Sequence, residues 1–201
     1  DSDKPITPRK GLSYFIALIC GIVIPLISIA IRDFFSDTIL TKEDIKDATN
    51  IPILGLIGHS DKTTSLVVPN ASKSIISESF RALRTNIQYL AANKTKKIIT
   101  ITSSVGGEGK TFITMNLASI FALSGHKTIL IGGDLRKPKL QEDFNVDGKK
   151  GLSSYLINKL ELNEIIQKTK IDSLDVIPSG PTPPNPAELL DSEKMKELIN
   201  K

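Results

Sequence analysis

Hydrophobic and polar positions divide the chain into regions of different character. Residues 11–31, GLSYFIALICGIVIPLISIAI, contain no charged side chain. At about 1.5 Å per residue, a helix of that length reaches roughly 30 Å, the thickness of a bilayer's hydrocarbon core. One transmembrane helix is therefore expected over 11–32. Pro25 lies inside it and predicts a kink, which membrane helices tolerate. A signal sequence has a shorter apolar region followed by a small-residue cleavage site, and neither is evident here. Further along, SKSIISESFRALRTNIQYLAA places Ile76, Phe80, Leu83, Ile87 and Leu90 at helical spacing. KKIITITS is a β-branched run suited to a buried parallel strand. TFITMNLASIFALSG reads as a helix closed by Gly125, a natural residue just past a helix end. KTILIGG and SLDVIPSG read as two more strands, GLSSYLI and LNEIIQK as short helices, and AELLDSEKMKELI as part of a final helix. Strand, loop, helix and strand in that order form a βαβ unit, which predicts an α/β fold with a parallel sheet flanked by helices.

The intervening stretches set the expected domain organisation. Residues 1–10, DSDKPITPRK, are polar with two prolines and read as an extended approach to the membrane on its extracytoplasmic side. RDFFSDTIL leaves the bilayer with aromatic residues near the interface. In TKEDIKDATN, Thr41 is placed to cap a short helix with Asp44 three residues on. IPILGLIGH suggests a short strand, and DKTTSLVVPNAS is loop-like. Residues 33–72 are thus expected to form a juxtamembrane connector, and 73–201 the N-terminal part of a phosphate-loop domain.

Charge and composition add limits. The chain has 201 residues, with 26 Lys plus Arg against 22 Asp plus Glu. The excess is small and dispersed, so a nucleic-acid partner is not expected. Cys20 is the single cysteine, which excludes an internal disulfide. His59 and His126 lack metal-site spacing and read as surface or turn histidines, and the basic run KTKK at 94–97 as a solvated stretch. Lys4, Arg9 and Lys10 on one side of the apolar stretch balance Arg32, Lys42 and Lys46 on the other. The positive-inside rule is then a near tie and does not orient the stretch.

The candidate chemistry sits in SSVGGEGKT, residues 103–111. It matches G-x-x-x-x-G-K-[ST] with Ser104 in the first place. Gly106, Gly107 and Gly109 let the backbone turn so that N–H groups converge on phosphate oxygens. The helix opening near Lys110 points its positive end at the same oxygens. Lys110 supplies a charge to the β- and γ-phosphates, and Thr111 a hydroxyl to Mg²⁺. The expected nucleotide-contacting residues are Ser104, Val105, Gly106, Gly107, Glu108, Gly109, Lys110, Thr111 and Phe112. The serine is tolerable where its dihedral angles suit a non-glycine residue.

Partition and division-site ATPases carry a lysine where Val105 stands. The loop instead resembles that of the bacterial tyrosine kinases of capsule and exopolysaccharide export. ESFRALRTNI resembles that family's E-x-x-R-x-x-R helix through Glu78, Arg81 and Arg84. ILIGGDLRKP resembles its second acidic loop, and PTPPNPAELL its proline-rich segment before a late helix. The apolar stretch after a proline-containing approach resembles the second span of polysaccharide co-polymerases, which are often fused to these kinases. The resemblance implies ATP and Mg²⁺ as cofactors, Lys110 and Asp134 as catalytic residues, and Thr111 and Asp134 at the metal. It also implies a ring-like homo-oligomer closed through Glu78, Arg81 and Arg84, and an inner-membrane protein with its kinase part in the cytoplasm, acting with the polysaccharide export machinery.

Two departures stand out. Gly132 replaces the first of the family's two aspartates, leaving Asp134, whose alternative role is a helix cap or a salt-bridge partner for Arg136 or Lys137. No Walker B strand ending in aspartate and no C-terminal tyrosine cluster occurs; the tyrosines are Tyr14, Tyr89 and Tyr155. The expectation is a fragment with an incomplete P-loop sheet, inactive by itself, of a membrane-anchored kinase that autophosphorylates on tyrosine. The alternatives are an ATP-binding assembly subunit of the export machinery with weak catalysis, or a partition-type ATPase.

Overall fold

The computed structural model describes residues 10–35, 39, 41–60, 64–92 and 97–200. The expected approach at 1–10 and the run KTKK lie almost wholly outside these residues. The chain forms two compact units, 1–52 and 53–201.

In the first unit, α1 (Lys10–Phe34) is continuous through Pro25, and its apolar side chains are exposed along its whole length. It is long and apolar enough to cross a membrane. The short α2 (Lys42–Ala48) starts at Thr41 as expected. The Asp44 N–H donates to Thr41 Oγ1 at 3.3 Å, and the Thr41 N–H donates to Asp44 Oδ2 at 2.8 Å. This reciprocal cap satisfies two N–H groups that the helix cannot pair internally.

The second unit is organised around α5 (Lys110–Leu123). Past Lys110 this helix carries no charge, and Met115 through Ala122 are all buried. A helix apolar on every side must be covered on every side. One side, through Met115, Ala118 and Ala122, packs with Leu130, Leu174 and Val176 of the sheet. The other, through Leu117, Ile120 and Phe121, packs with Val68 and Phe80. These last belong to α3 (Val67–Asn70) and α4 (Ile75–Leu90). Asn116, also buried, ties the layers together. Its Oδ1 accepts from the Val68 N–H at 2.8 Å, and its Nδ2 donates to the carbonyls of Ser65 and Phe112.

The sheet contains β1 (Thr128–Ile131), β2 (Gln167–Lys168) and β3 (Leu174–Ile177) in the order β1-β3-β2. β1 and β3 are parallel, with Thr128 opposite Leu174 and Ile131 opposite Ile177. β2 runs antiparallel to β3, so the sheet is mixed rather than purely parallel. A third cluster, built on Leu152, Tyr155, Ile165 and Ile177, is covered by Leu198. It joins β3 to α7 (Leu152–Leu156), α8 (Leu162–Ile165), α9 (Pro186–Leu190) and α10 (Glu193–Asn200). A further short helix, α6 (Leu140–Phe144), covers β1 through Leu140 and Phe144.

Several expectations are corrected. Residues 97–103 are not a strand, and Ile98 and Ile99 are 66% and 42% exposed. A β-branched run becomes a strand only where a neighbour takes its backbone bonds, and no described strand lies beside it. Residues 51–60 are likewise without strand pairing. DKTTSLVVPNAS is not all loop: Val67 and Val68 are 0% and 1% exposed inside α3. LNEIIQK is helical only to Ile165 and then enters β2. The final helix is broken between α9 and α10, where Ser192 Oγ donates to the Leu189 carbonyl and accepts from the Met195 N–H. Leu90, at the end of α4, is exposed instead of facing the core.

Candidate nucleotide-binding site

Gly109 opens α5. Its φ of 88° and ψ of 12° are left-handed, and Gly107 has φ 93°. Both conformations disfavour any residue with a Cβ. The first bond of the helix runs from the Ile113 N–H to the Gly109 carbonyl at 2.9 Å. The N–H groups of Lys110, Thr111 and Phe112 therefore have no acceptor inside the helix, and they point out of its positive end. A Cβ built on Gly106, Gly107 or Gly109 would meet nothing within 4 Å. The face of the loop is open, and its donor set suits an anion of phosphate size.

The side chains around this loop are tied back across it. Lys110 Nζ donates to Ser103 Oγ at 3.0 Å, and the Ser103 hydroxyl donates to the Val105 carbonyl at 2.9 Å. Glu108 Oε2 accepts from the Ser104 N–H at 3.0 Å and the Val105 N–H at 3.4 Å. Ser104 is not among the residues with positive φ, which explains why serine is accommodated at the first position. The Val105 side chain is 63% exposed. Thr111 is half-buried on the first turn. The Phe112 ring packs 5.9 Å from that of Phe80 and is partly buried. Ser103, which positions Lys110, was not singled out from the sequence; its signal was only a second hydroxyl beside the motif.

Asp134 lies beyond the C-terminal end of β1. Its Oδ1 accepts from the N–H groups of Arg136 and Lys137 at 3.1 and 3.0 Å, which is a turn cap. Oδ2 receives no hydrogen bond among the described residues. No hydrogen bond or ion pair there joins Asp134 to Lys110 or Thr111. Beside it, Gly132 is buried against Ser179.

Glu78, Arg81 and Arg84 lie on α4 but face different surroundings. Arg81 pairs with the exposed Glu78 carboxylate and donates to the Ser72 carbonyl. Arg84 is half-buried and donates to Ser124 Oγ at the end of α5, while its Nε is buried without a partner among the described residues. His126 meets Gln88 and the Phe121 ring, consistent with a turn histidine.

The comparisons agree with this architecture. Residues 96–200 match the family model described as an AAA domain. The tyrosine-protein kinase YwqD of Bacillus subtilis (strain 168) is 42% identical over 134 residues, which cover 67% of this chain and 56% of YwqD. A protein of Klebsiella pneumoniae, named as a tyrosine-protein kinase in the cps region, is 30% identical over 213 residues, covering 98% of this chain and 29% of that protein. The solved kinase domain of Escherichia coli tyrosine kinase ETK superposes with a TM-score of 0.74 at 31% identity, covering 80% of this chain and 67% of that domain. The chain thus spans little more than half the length of YwqD and under a third of the Klebsiella protein. With its phosphate loop, its α/β core and these relatives, the chain belongs to the AAA-domain family and, within it, to the bacterial tyrosine-protein kinases.

Proposed function

We propose that the chain is the nucleotide-binding part of a membrane-anchored kinase that transfers the γ-phosphoryl group of ATP to tyrosine, with Mg²⁺, in a capsule or exopolysaccharide export system. The observation that carries this reading is the open glycine face at the N-terminus of α5, with Lys110 reaching back across it. In such transfers the protein's work is positioning and charge neutralisation. Of the expected contacts at 104–112, the N–H groups of residues 106–112 would hold phosphate oxygens, while those of Ser104 and Val105 are taken by Glu108. Lys110, once released from Ser103, would neutralise the β- and γ-phosphates. The Thr111 hydroxyl and Asp134 Oδ2 would hold Mg²⁺, an ion that takes few protein ligands and travels with phosphates. Bound MgATP supplies the transferable phosphoryl group.

The name of the Klebsiella relative supports the capsule assignment. The apolar α1 supports a membrane anchor, and the use of ATP, a cytoplasmic nucleotide, is the ground for putting the second unit in the cytoplasm. A ring of identical subunits contacting through Glu78, Arg81 and Arg84 belongs to the same reading, with Arg84 half-buried and turned to Ser124. A second reading, an assembly subunit that binds ATP without efficient transfer, is favoured by Gly132. Its surroundings leave no room for a side chain at the position where the resemblance calls for a carboxylate. Incubating the full-length protein with MgATP and probing for phosphotyrosine separates the two. Phosphotyrosine is expected, and its absence in protein that binds ATP would favour the assembly subunit.

A further inference from the structure

A carboxylate inside a phosphate-binding loop is electrostatically out of place, because it adds a negative charge where a polyanion is to bind. In the structure the Glu108 side chain turns back to the neck of the loop, and its Oε2 takes the consecutive N–H groups of Ser104 and Val105. Between these anchors lie Gly106 and Gly107. Neither has neighbours that would restrain a side chain, and Gly107 has a left-handed φ. Nothing in their own packing holds the turn, and glycine has the most backbone freedom to lose on ordering. Among the described residues, two ties cross the loop: Glu108 to Ser104 and Val105, and Lys110 to Val105 through Ser103. The second must open when Lys110 turns to a phosphate. The first leaves the N–H groups at the start of α5 to the phosphates.

We infer that Glu108 is a positioning residue whose carboxylate staples residues 104–108 into the nucleotide-ready turn, so that the loop is ordered before ligand arrives. The inference rests on the nucleotide-binding reading of this loop. Two hydrogen bonds to an ionised acceptor are stronger than neutral ones, and ordering the loop in advance removes that cost from binding.

The test compares Glu108→Ala and Glu108→Gln with the parent in the full-length protein. Two measurements are made: titration with a fluorescent ADP analogue, and hydrogen exchange of the Ser104 and Val105 amides without nucleotide. Glu108→Ala is expected to weaken ADP binding about tenfold and to speed exchange at both amides. Glu108→Gln keeps an acceptor oxygen and removes the charge, so it should stay within about threefold of the parent. Parent-like exchange in Glu108→Ala would overturn the inference. So would unchanged or tighter ADP binding by Glu108→Ala, or a Glu108→Gln variant as weak as Glu108→Ala. A parent that binds no ADP would instead sink the nucleotide reading, while the exchange rates would still decide whether the staple exists.

Discussion

Ser179 fills the space beside the α-carbon of Gly132. A Cβ at 132 would lie 2.7 Å from Ser179 Oγ and 2.8 Å from the Ser179 backbone nitrogen, with Leu140 Cδ1 at 3.2 Å. Gly132→Asp, the change that would restore the family's first aspartate, should therefore destabilise the protein by roughly 1–3 kcal/mol through overpacking. Adding Ser179→Gly removes the hydroxyl contact but leaves the backbone one, so only part of the loss should return. Thermal melts of the single and double variants check this; a single variant as stable as the parent would contradict the packing described.

A second glycine contact is tighter. A Cβ on Gly151 would fall 2.3 Å from the Gly180 nitrogen and 2.4 Å from the Pro178 carbonyl oxygen. Backbone cannot step aside as a side chain can. The adjoining bonds from the Leu152 N–H to Pro178 and the Ser153 N–H to Ser179 hold the start of α7 to the end of β3. Gly151→Ala should cost ~3 kcal/mol or more in denaturant unfolding.

The two arginines of α4 should separate in their effects. Arg81 pairs at the surface with Glu78, a contact worth about 0.2–0.5 kcal/mol, so Glu78→Ala with Arg81→Ala should leave the melting temperature nearly unchanged. If these residues close a ring, the same double variant should scatter light as a monomer while still binding ATP. Arg84→Ala removes the donor to Ser124 and should lower stability by about 1 kcal/mol. An oligomer that survives the double change would leave Glu78 and Arg81 as ordinary surface charge.

Membrane attachment should reside in the first unit. Membranes washed in alkaline carbonate are expected to retain the full-length protein through α1, whereas a chain beginning at Ile53 should stay in the supernatant. Release of the full-length protein by the wash would make α1 a peripheral helix.

Features set by neighbours in sequence were legible before the structure. Thr41 with Asp44, Gly125 with φ 84° past the end of α5, and the glycines of the loop each depend on residues at most a few positions away. The apolar face of α4 was legible through Phe80, because helical spacing alone aligns it. What escaped depends on distant partners. Val67 and Val68 look like loop residues until Asn116, 48 positions after Val68, takes the Val68 N–H. The run at 97–103 has strand composition, yet strand formation depends on a neighbour that its own residues do not specify. Within the site, the hydroxyl of Ser103 and the backward turn of Glu108 are side-chain conformations, which a motif does not encode.

The role proposed for this loop is to hold the nucleotide used for tyrosine phosphorylation. Its most direct test is Lys110→Met in the full-length protein, with phosphotyrosine measured after incubation with MgATP. Methionine has similar reach without the charge that neutralises the β- and γ-phosphates, so phosphotyrosine should fall by about a hundredfold or more in protein that remains folded. Phosphotyrosine at the parent level in Lys110→Met would exclude that role for the loop.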